Sequence, residues 1–292
     1  MTASEEVTRG EGRRRRSFSP RYPGWLTTPS LLYYAIFFLG PLAILVAFSF
    51  ATQTGFNAIT YGFDTSQYHL ITGADGLYIH IFERTLVMAG TGSILTMLVG
   101  YPIAYWMARY LTTYKMLMLL LVLVPFWTSF LIRTYALKII LDPHGYLAKD
   151  LGIDIMYTKY AVAVGLVYNY LPLFIIPVFA SLERMDWTLV EAATDLGAKP
   201  FNAFRQITLR LTLPGVVTGA LLVFIPMSGE YIIPNILSGG NYEFVGNVIG
   251  DQFASAQNQP FGSALSIGLM IALSGFVALY ILVATKEERF GA

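Results

Sequence analysis

The chain has 292 residues, of which 55% are hydrophobic and only 13% charged, where an ordinary soluble domain carries about 25% charged residues. That balance points to an all-α integral membrane protein. Zero cysteines exclude disulfides, thiol nucleophiles and cysteine-ligated metals, and the net charge of +1 says nothing until the charges are assigned to the two sides of a membrane.

Residues 1–30 are a different material from the rest. The string EEVTRGEGRRRRSFSPRYPGW is charged, contains Gly and Pro and lacks an apolar period. A disordered basic tail is expected there, held beside anionic lipid. Its RRSFS resembles part of a twin-arginine export signal, but the next apolar run is distant and long enough to span.

Six runs are long and apolar enough to cross about 30 Å of hydrocarbon as helices: 31–51, 85–106, 116–140, 160–182, 213–233 and 263–284. They define one transmembrane domain, 31–285, followed by a short tail, 286–292. Pro41, Pro102, Pro125, Pro172, Pro177 and Pro226 lie within these runs. Packed neighbours satisfy the backbone groups that proline frees, so kinks are expected and helices are not excluded.

Lys and Arg distribute unevenly between the connections. One side holds the tail arginines Arg9, Arg13 to Arg16 and Arg21, with Arg109, Lys115, Arg184, Lys199, Arg205, Arg210, Lys286 and Arg289. The other holds only Arg84, Lys149 and Lys159 together with Asp64, Asp75, Asp142, Asp150, Asp154, Glu243 and Asp251. By the positive-inside rule both termini of this multi-pass chain are cytoplasmic and the outer face is acidic.

Between the fourth and fifth runs lies a polar stretch, 183–212, containing VEAATDLGAKPFNAFRQITLRLTLPG. Leu189, Ala192, Ala193 and Leu196 fall at i, i+3, i+4 and i+7, one small apolar face of a short helix. Asp186, or Thr188 with Glu191, can cap its start, and Gly197 can take the left-handed conformation that ends it. Pro200 suits the first turn of a second helix whose Phe201, Phe204 and Ile207 share a face. A loop that long and that structured asks for a partner groove or for a membrane surface to lie on.

The segment EAATDLG, 191–197, followed by Ile207, Leu209 and Pro214-Gly215, resembles the EAA loop of type I ABC-importer permeases. The resemblance implies the MetI-like fold and a coupling helix seated in a cytoplasmic ATPase, with Glu191, Ala192, Ala193, Asp195 and Gly197 carrying that role. Where that family commonly has Pro after Ile-x-Leu, this chain has Arg210, so the second loop helix is expected to run straighter into the fifth span. PFWTSFLIRTYALKIIL, GLVYNYLPLFIIPVFASLERMD, GEYIIPNILSGG and GNVIGDQF with PFGSAL are similar to spermidine/putrescine permeases of the PotB and PotH type. Sulfate, molybdate and iron permeases share the loop too. The resemblance implies a dimer of ATP-binding subunits, a second permease subunit forming a heterodimer, an extracytoplasmic substrate-binding protein, membrane lipid around the chain and no nucleic acid. It also implies that this chain binds no cofactor, with ATP and Mg on the ATPase, and it is not an enzyme itself.

Glu230, in FIPMSGEYIIP, falls in or near the outer half of the expected fifth span, where an ionised carboxylate costs several kcal/mol, of order 2–4, unless paired or wetted. It is a substrate-pathway candidate with the aromatics Tyr231, Trp127 and Tyr170, which offer a polycation cation–π contact, and with Asp251 of the acidic face. The competing reading is a structural pair with Arg133 or Lys138, or snorkelling to the interface. Gly215 and Gly219 form a GxxxG, a close-packing signal between membrane helices. His69, His80 and His144 lack metal spacing. The chain contains no G-x-x-x-x-G-K-[ST], so nucleotide binding falls to another chain, and a stand-alone secondary transporter using Glu230 as proton relay leaves the EAA loop unexplained.

Overall fold

A computed structural model describes residues 28–55, 58–73, 76–152 and 154–290. The basic tail expected at 1–30 lies outside the described residues up to 27. By contacts the chain divides into residues 1–44 and 45–292. The first unit carries most of helix α1 (Thr28–Ser49), whose π-turn Ala35–Leu39 is followed by Gly40 and then Pro41, a residue with no N–H for the helical ladder. Leu31, Tyr33 and Phe37 are each more than half exposed, an apolar surface suited to hydrocarbon.

In the second unit a hairpin of β1 (Thr52–Gly55) and β2 (Ala58–Thr60) and a short helix α2 (Ser66–Gly73) lead into α3 (Leu77–Tyr110). Then come α4 (Lys115–Trp127), α5 (Phe130–Leu141), α6 (Tyr146–Leu151) and α7 (Lys159–Glu183). The polar stretch holds α8 (Thr188–Asp195), and α9 runs from Pro200 to Ser228. Short helices α10 (Ile232–Ser238) and α11 (Val245–Ala254) precede α12 (Gln259–Phe290).

Helix α7 is the centre of the bundle, packed by α3 on one side and α9 on the other. Its Val162, Leu166, Phe174, Ile175, Val178 and Leu182 are fully buried. Phe174 is a wedge: a Cβ at Gly100 of α3 would come within 2.6 Å of its ring, and one at Gly219 of α9 within 2.8 Å. A Cβ at Gly215 would meet Ser181 Cβ at 2.5 Å and the Pro177 carbonyl at 2.8 Å. The GxxxG thus brings α9 against α7 at two points one turn apart. Without a hydrophobic force between helices in lipid, such close backbone approach is what packing energy there rests on.

Five helices are long and apolar enough to cross a membrane: α1, α3, α7, α9 and the Gln259–Ala278 part of α12. The third expected span differs. Helices α4 and α5 meet at a bend of 91°, so 116–140 is two helices nearly at right angles where one continuous span was expected. Pro125 removes a ladder donor, the Thr128 hydroxyl turns back onto the Pro125 carbonyl at 2.7 Å, and Ser129 is extended at ψ 133°. Helices α3, α7 and α9 continue through Pro102, Pro172, Pro177, Pro214 and Pro226. The sixth expected span also lengthens, since α12 continues to Phe290, into the expected tail, of which residues 291–292 lie outside the described ones.

Candidate functional site: an exposed loop helix and a buried carboxylate

Helix α8 starts where Asp186 accepts from the Thr188 N–H at 3.0 Å and from the Thr188 hydroxyl at 2.8 Å. The Thr188 hydroxyl, then its N–H, hold the Asp186 carboxyl below the ordinary carboxylate range. A group shifted down stabilises the fold above its unfolded pKa, so this cap weakens only as pH falls through the lowered value.

The helix ends on Gly197 at φ +88°, with Ala198 N–H donating to the Ala193 carbonyl at 2.9 Å and Gly197 N–H to the Thr194 carbonyl at 2.9 Å. Those two bonds form a Schellman motif, which needs a left-handed residue at that point. A Cβ at Gly197 would meet nothing within 4 Å, so only the backbone demands glycine. Gly197→Val is expected to cost about 1–2 kcal/mol locally by forcing a β-branched residue to positive φ. If the turn couples the loop to an ATPase as the resemblance implies, transport should fall while membrane insertion is retained; full uptake together with full ATPase association by Gly197→Val would remove the turn from that role.

The loop is docked on the end of α3. Arg109 lies 3.3 Å from Glu191 and 4.8 Å above the Trp187 ring, and Tyr105 meets both Trp187 and Phe204 edge-on at 5.8 and 5.6 Å. The Glu191 side chain is 62% exposed, so the ion pair orients more than it stabilises, at about 0–1 kcal/mol. No residue of α8 is buried. The apolar face expected from Leu189, Ala192, Ala193 and Leu196 is open, Leu196 being 90% exposed, with Phe201 exposed nearby. Asp195 is exposed at its last turn. Beside it a cleft of about 550 Å³ is lined by Pro177, Ser181, Arg184, Asp186 and Gly215. The second helix of the loop runs without interruption from Pro200, its expected first residue, to Ser228, passing a π-turn at Phe204–Thr208.

Toward the opposite end of the bundle, Glu230 occupies a turn. The chain leaves α9 at Ser228, so the carboxylate follows the span, where the sequence placed it within 213–233. The helix ends at Ser228 with Gly229 as its cap, and the Glu230 side chain folds forward to cap α10. Its Oε1 accepts from the N–H groups of Tyr231, Ile232 and Ile233 at 3.1, 2.9 and 3.4 Å, and its Oε2 accepts from the Tyr170 hydroxyl at 2.5 Å. Only 7% of the residue is exposed. Four donors replace the water that a buried carboxylate loses.

Neither Arg133 nor Lys138 forms an ion pair with Glu230 among the described residues. Arg133 is buried between the faces of Phe126 and Phe130 at 5.4 and 5.7 Å and donates to the Asn169 carbonyl at 3.4 Å. Phe130 in turn meets the Tyr170 ring edge-on at 6.3 Å. Glu230, Tyr170 and Tyr231 therefore stand together, with Arg133 one ring away. Trp127 is 72% exposed at the end of α4, and Asp251 is exposed on α11; neither makes a hydrogen bond or an ion pair to Glu230 among the described residues. Asn169 and Asn247 went unnoticed in the sequence. The latter donates to the Tyr231 carbonyl at 2.7 Å and fixes α11 against the Glu230 turn; a polar residue inside an apolar run was the signal for Asn169, whereas Asn247 lies outside all six runs.

Residues 92–285 match the family described as binding-protein-dependent transport system inner membrane component. The chain belongs to that family. The permease is 38% identical over 264 residues to the spermidine/putrescine transport system permease protein PotB of Haemophilus influenzae, covering 87% of this chain and 92% of that one. Two solved structures share its fold. A chain of a bacterial ABC transporter involved in the import of the acidic polysaccharide alginate superposes with a TM-score of 0.69 at 14% identity, covering 90% of this permease and 96% of that chain. A bacterial alginate ABC transporter in complex with an alginate pentasaccharide-bound periplasmic protein gives 0.66 at 16%, covering 88% and 93%. The permease is a multi-pass, all-α membrane protein of the MetI-like fold.

Proposed function

We propose that the permease is one subunit of an ATP-driven importer of polyamines, spermidine or putrescine. The observation that carries this reading is the 38% identity to a spermidine/putrescine permease over almost the whole length of both chains. The open face of α8, held at the end of α3 by Arg109 and Trp187, supports its role as the handle that a separate dimer of ATP-binding subunits grips, through Glu191, Ala192, Ala193, Asp195 and Gly197. Catalysis and the ATP with its Mg belong to that partner. A second permease subunit completes the pathway, and an extracytoplasmic substrate-binding protein delivers the polyamine, as the periplasmic protein sits on the alginate transporter.

In this reading Glu230 is the pathway carboxylate. Both its oxygens are used, so an arriving ammonium takes the place of the Tyr170 hydroxyl at Oε2, while Oε1 keeps α10 capped. Tyr170 thereby acts as the placeholder for the substrate, and Tyr231, half exposed, offers a ring face to the next part of the polycation. Trp127 and Asp251 belong to the approach to that point. A secondary transporter with Glu230 as proton relay is not favoured, because it gives α8 no task.

Two measurements test the reading. Cells carrying the complete system should take up labelled spermidine or putrescine and lose that uptake when the permease is deleted; uptake of molybdate or sulfate lost in its place would overturn the substrate. The Lys/Arg asymmetry supports a cytoplasmic side for α8 and both termini. In this cysteine-free chain, Asp154→Cys and Glu243→Cys should react with an impermeant thiol reagent from outside, and Lys199→Cys only after permeabilisation. Labelling of Lys199→Cys in intact cells would reverse the orientation.

A further inference from the structure

The segment between α1 and α3 looks like a small water-soluble lobe: a two-stranded hairpin, a capped helix and several polar side chains. Its hydrogen bonds are nearly all internal. Asp64 Oδ2 accepts from Thr52 Oγ1 at 2.8 Å and from Ser66 Oγ at 2.8 Å, Asp64 Oδ1 from the Ser66 N–H at 2.8 Å, and the Tyr68 hydroxyl donates to Ser49 Oγ at 2.8 Å. The Asp64 N–H also donates to the Phe50 carbonyl at 2.9 Å. The Asp64 carboxylate is thus engaged by Thr52 and Ser66, and residues 49–52, the exit from the α1 helix, are tied to residues 64–68.

This tie sets the height of the lobe. Two ring pairs run outward from the exit of α1: Phe48 stacks on Tyr61 with centroids 5.9 Å apart, and Phe50 on Phe63 at 4.7 Å with the planes only 12° apart. Phe48 belongs to the last turn of the helix, so its partner Tyr61 is level with the end of a span. The outer rings are bare: Tyr61 is 69% exposed and Phe63 84%. The described strand residues of the hairpin, TQTG and AIT, carry no charge. Large amphipathic rings at the level where a span meets water form the pattern of the interfacial aromatic belt, where one end of the ring is apolar and the other wet.

We infer that the hairpin lobe is a membrane-surface anchor whose Tyr61 and Phe63 rings lie in the boundary between lipid headgroups and acyl chains. A protein partner at this point would cover rings that are continuous with the end of α1, and the strands TQTG and AIT offer such a partner no charge to pair with. Lipid needs none. The lobe then holds the exit of α1 at a fixed depth, through Tyr68 to Ser49 and through Asp64 to Thr52.

The chain's lack of cysteine makes the test direct. Nitroxide labels are placed by Tyr61→Cys and Phe63→Cys in the complete importer, the other subunits' cysteines being blocked, in lipid nanodiscs without binding protein. Thr60→Cys, exposed at the end of β2 next to Tyr61, supplies the reading if either ring replacement prevents assembly. Collision with oxygen, which concentrates in lipid, is compared with collision with a water-soluble nickel chelate, using exposed Glu243→Cys as the aqueous reference. The expected result is a several-fold lower nickel access and higher oxygen access at 61 and 63 than at 243. Nickel access equal to that at 243 would put the lobe in water and overturn the inference. Shielding from both reagents would show that another chain covers the rings, and would overturn it equally.

Discussion

Glu230→Gln is expected to reduce polyamine uptake roughly ten- to a hundredfold, with the importer still assembled. The glutamine carbonyl oxygen keeps the N–H bonds at the start of α10, and its amide nitrogen remains within reach of Tyr170, so the turn is nearly preserved. What disappears is the charge. A charge-assisted hydrogen bond to an ammonium is worth about 1.5–3 kcal/mol, and losing it at one point of the pathway gives a loss of that order. The check is uptake of labelled spermidine beside recovery of the complex and its basal ATP hydrolysis. Unchanged uptake would leave Glu230 as a cap alone, and failure to assemble would make its role structural. Tyr170→Phe separates the two further: if the hydroxyl is a placeholder for substrate, its removal should spare uptake that Glu230→Gln destroys.

Gly219→Leu should be more damaging to the protein than to any single contact. The added Cβ meets the Phe174 ring at 2.8 Å and the Phe174 carbonyl at 3.2 Å, and Phe174 already fills the space between Gly219 and Gly100. The ring has nowhere to go. Over-packing costs about 1–3 kcal/mol where neighbours can yield, and here one neighbour is backbone. Loss of folded, detergent-stable permease on size-exclusion chromatography is the expected result, whereas Gly197→Val and Glu230→Gln should elute as the native chain does. A Gly219→Leu protein with native yield and thermal stability would contradict the close contact of α7 and α9.

Sequence and structure agree where the physics is local. Hydropathy marks α1, α3, α7, α9 and α12 because each needs a continuous apolar run to cross hydrocarbon, and Gly197 and Pro200 declare the loop helices by backbone preference alone. The break between Trp127 and Phe130 was hidden, because Pro125 resembles the other span prolines at 102, 172 and 177, which their helices absorb. What sets it apart is the extended backbone that follows, Thr128 at ψ 155° and Ser129 at ψ 133°. Glu230 stood out as a costly charge, yet its cap role depends on the chain turning after Ser228, and its Tyr170 partner lies 60 residues away. Arg109 and Glu191, 82 residues apart, are joined only once α3 and the loop share an end of the bundle. Contacts of that separation leave no trace in local pattern.

The central claim is that the permease couples a polyamine-loaded binding protein outside to an ATPase inside. It is tested most directly by ATP hydrolysis of the purified complex in proteoliposomes, with the cognate binding protein added empty, loaded with spermidine or putrescine, or offered molybdate or sulfate. The account predicts several-fold stimulation by the polyamine-loaded protein alone, abolished by Gly197→Val. Equal hydrolysis with empty and polyamine-loaded protein, or stimulation by an inorganic anion instead, would contradict it.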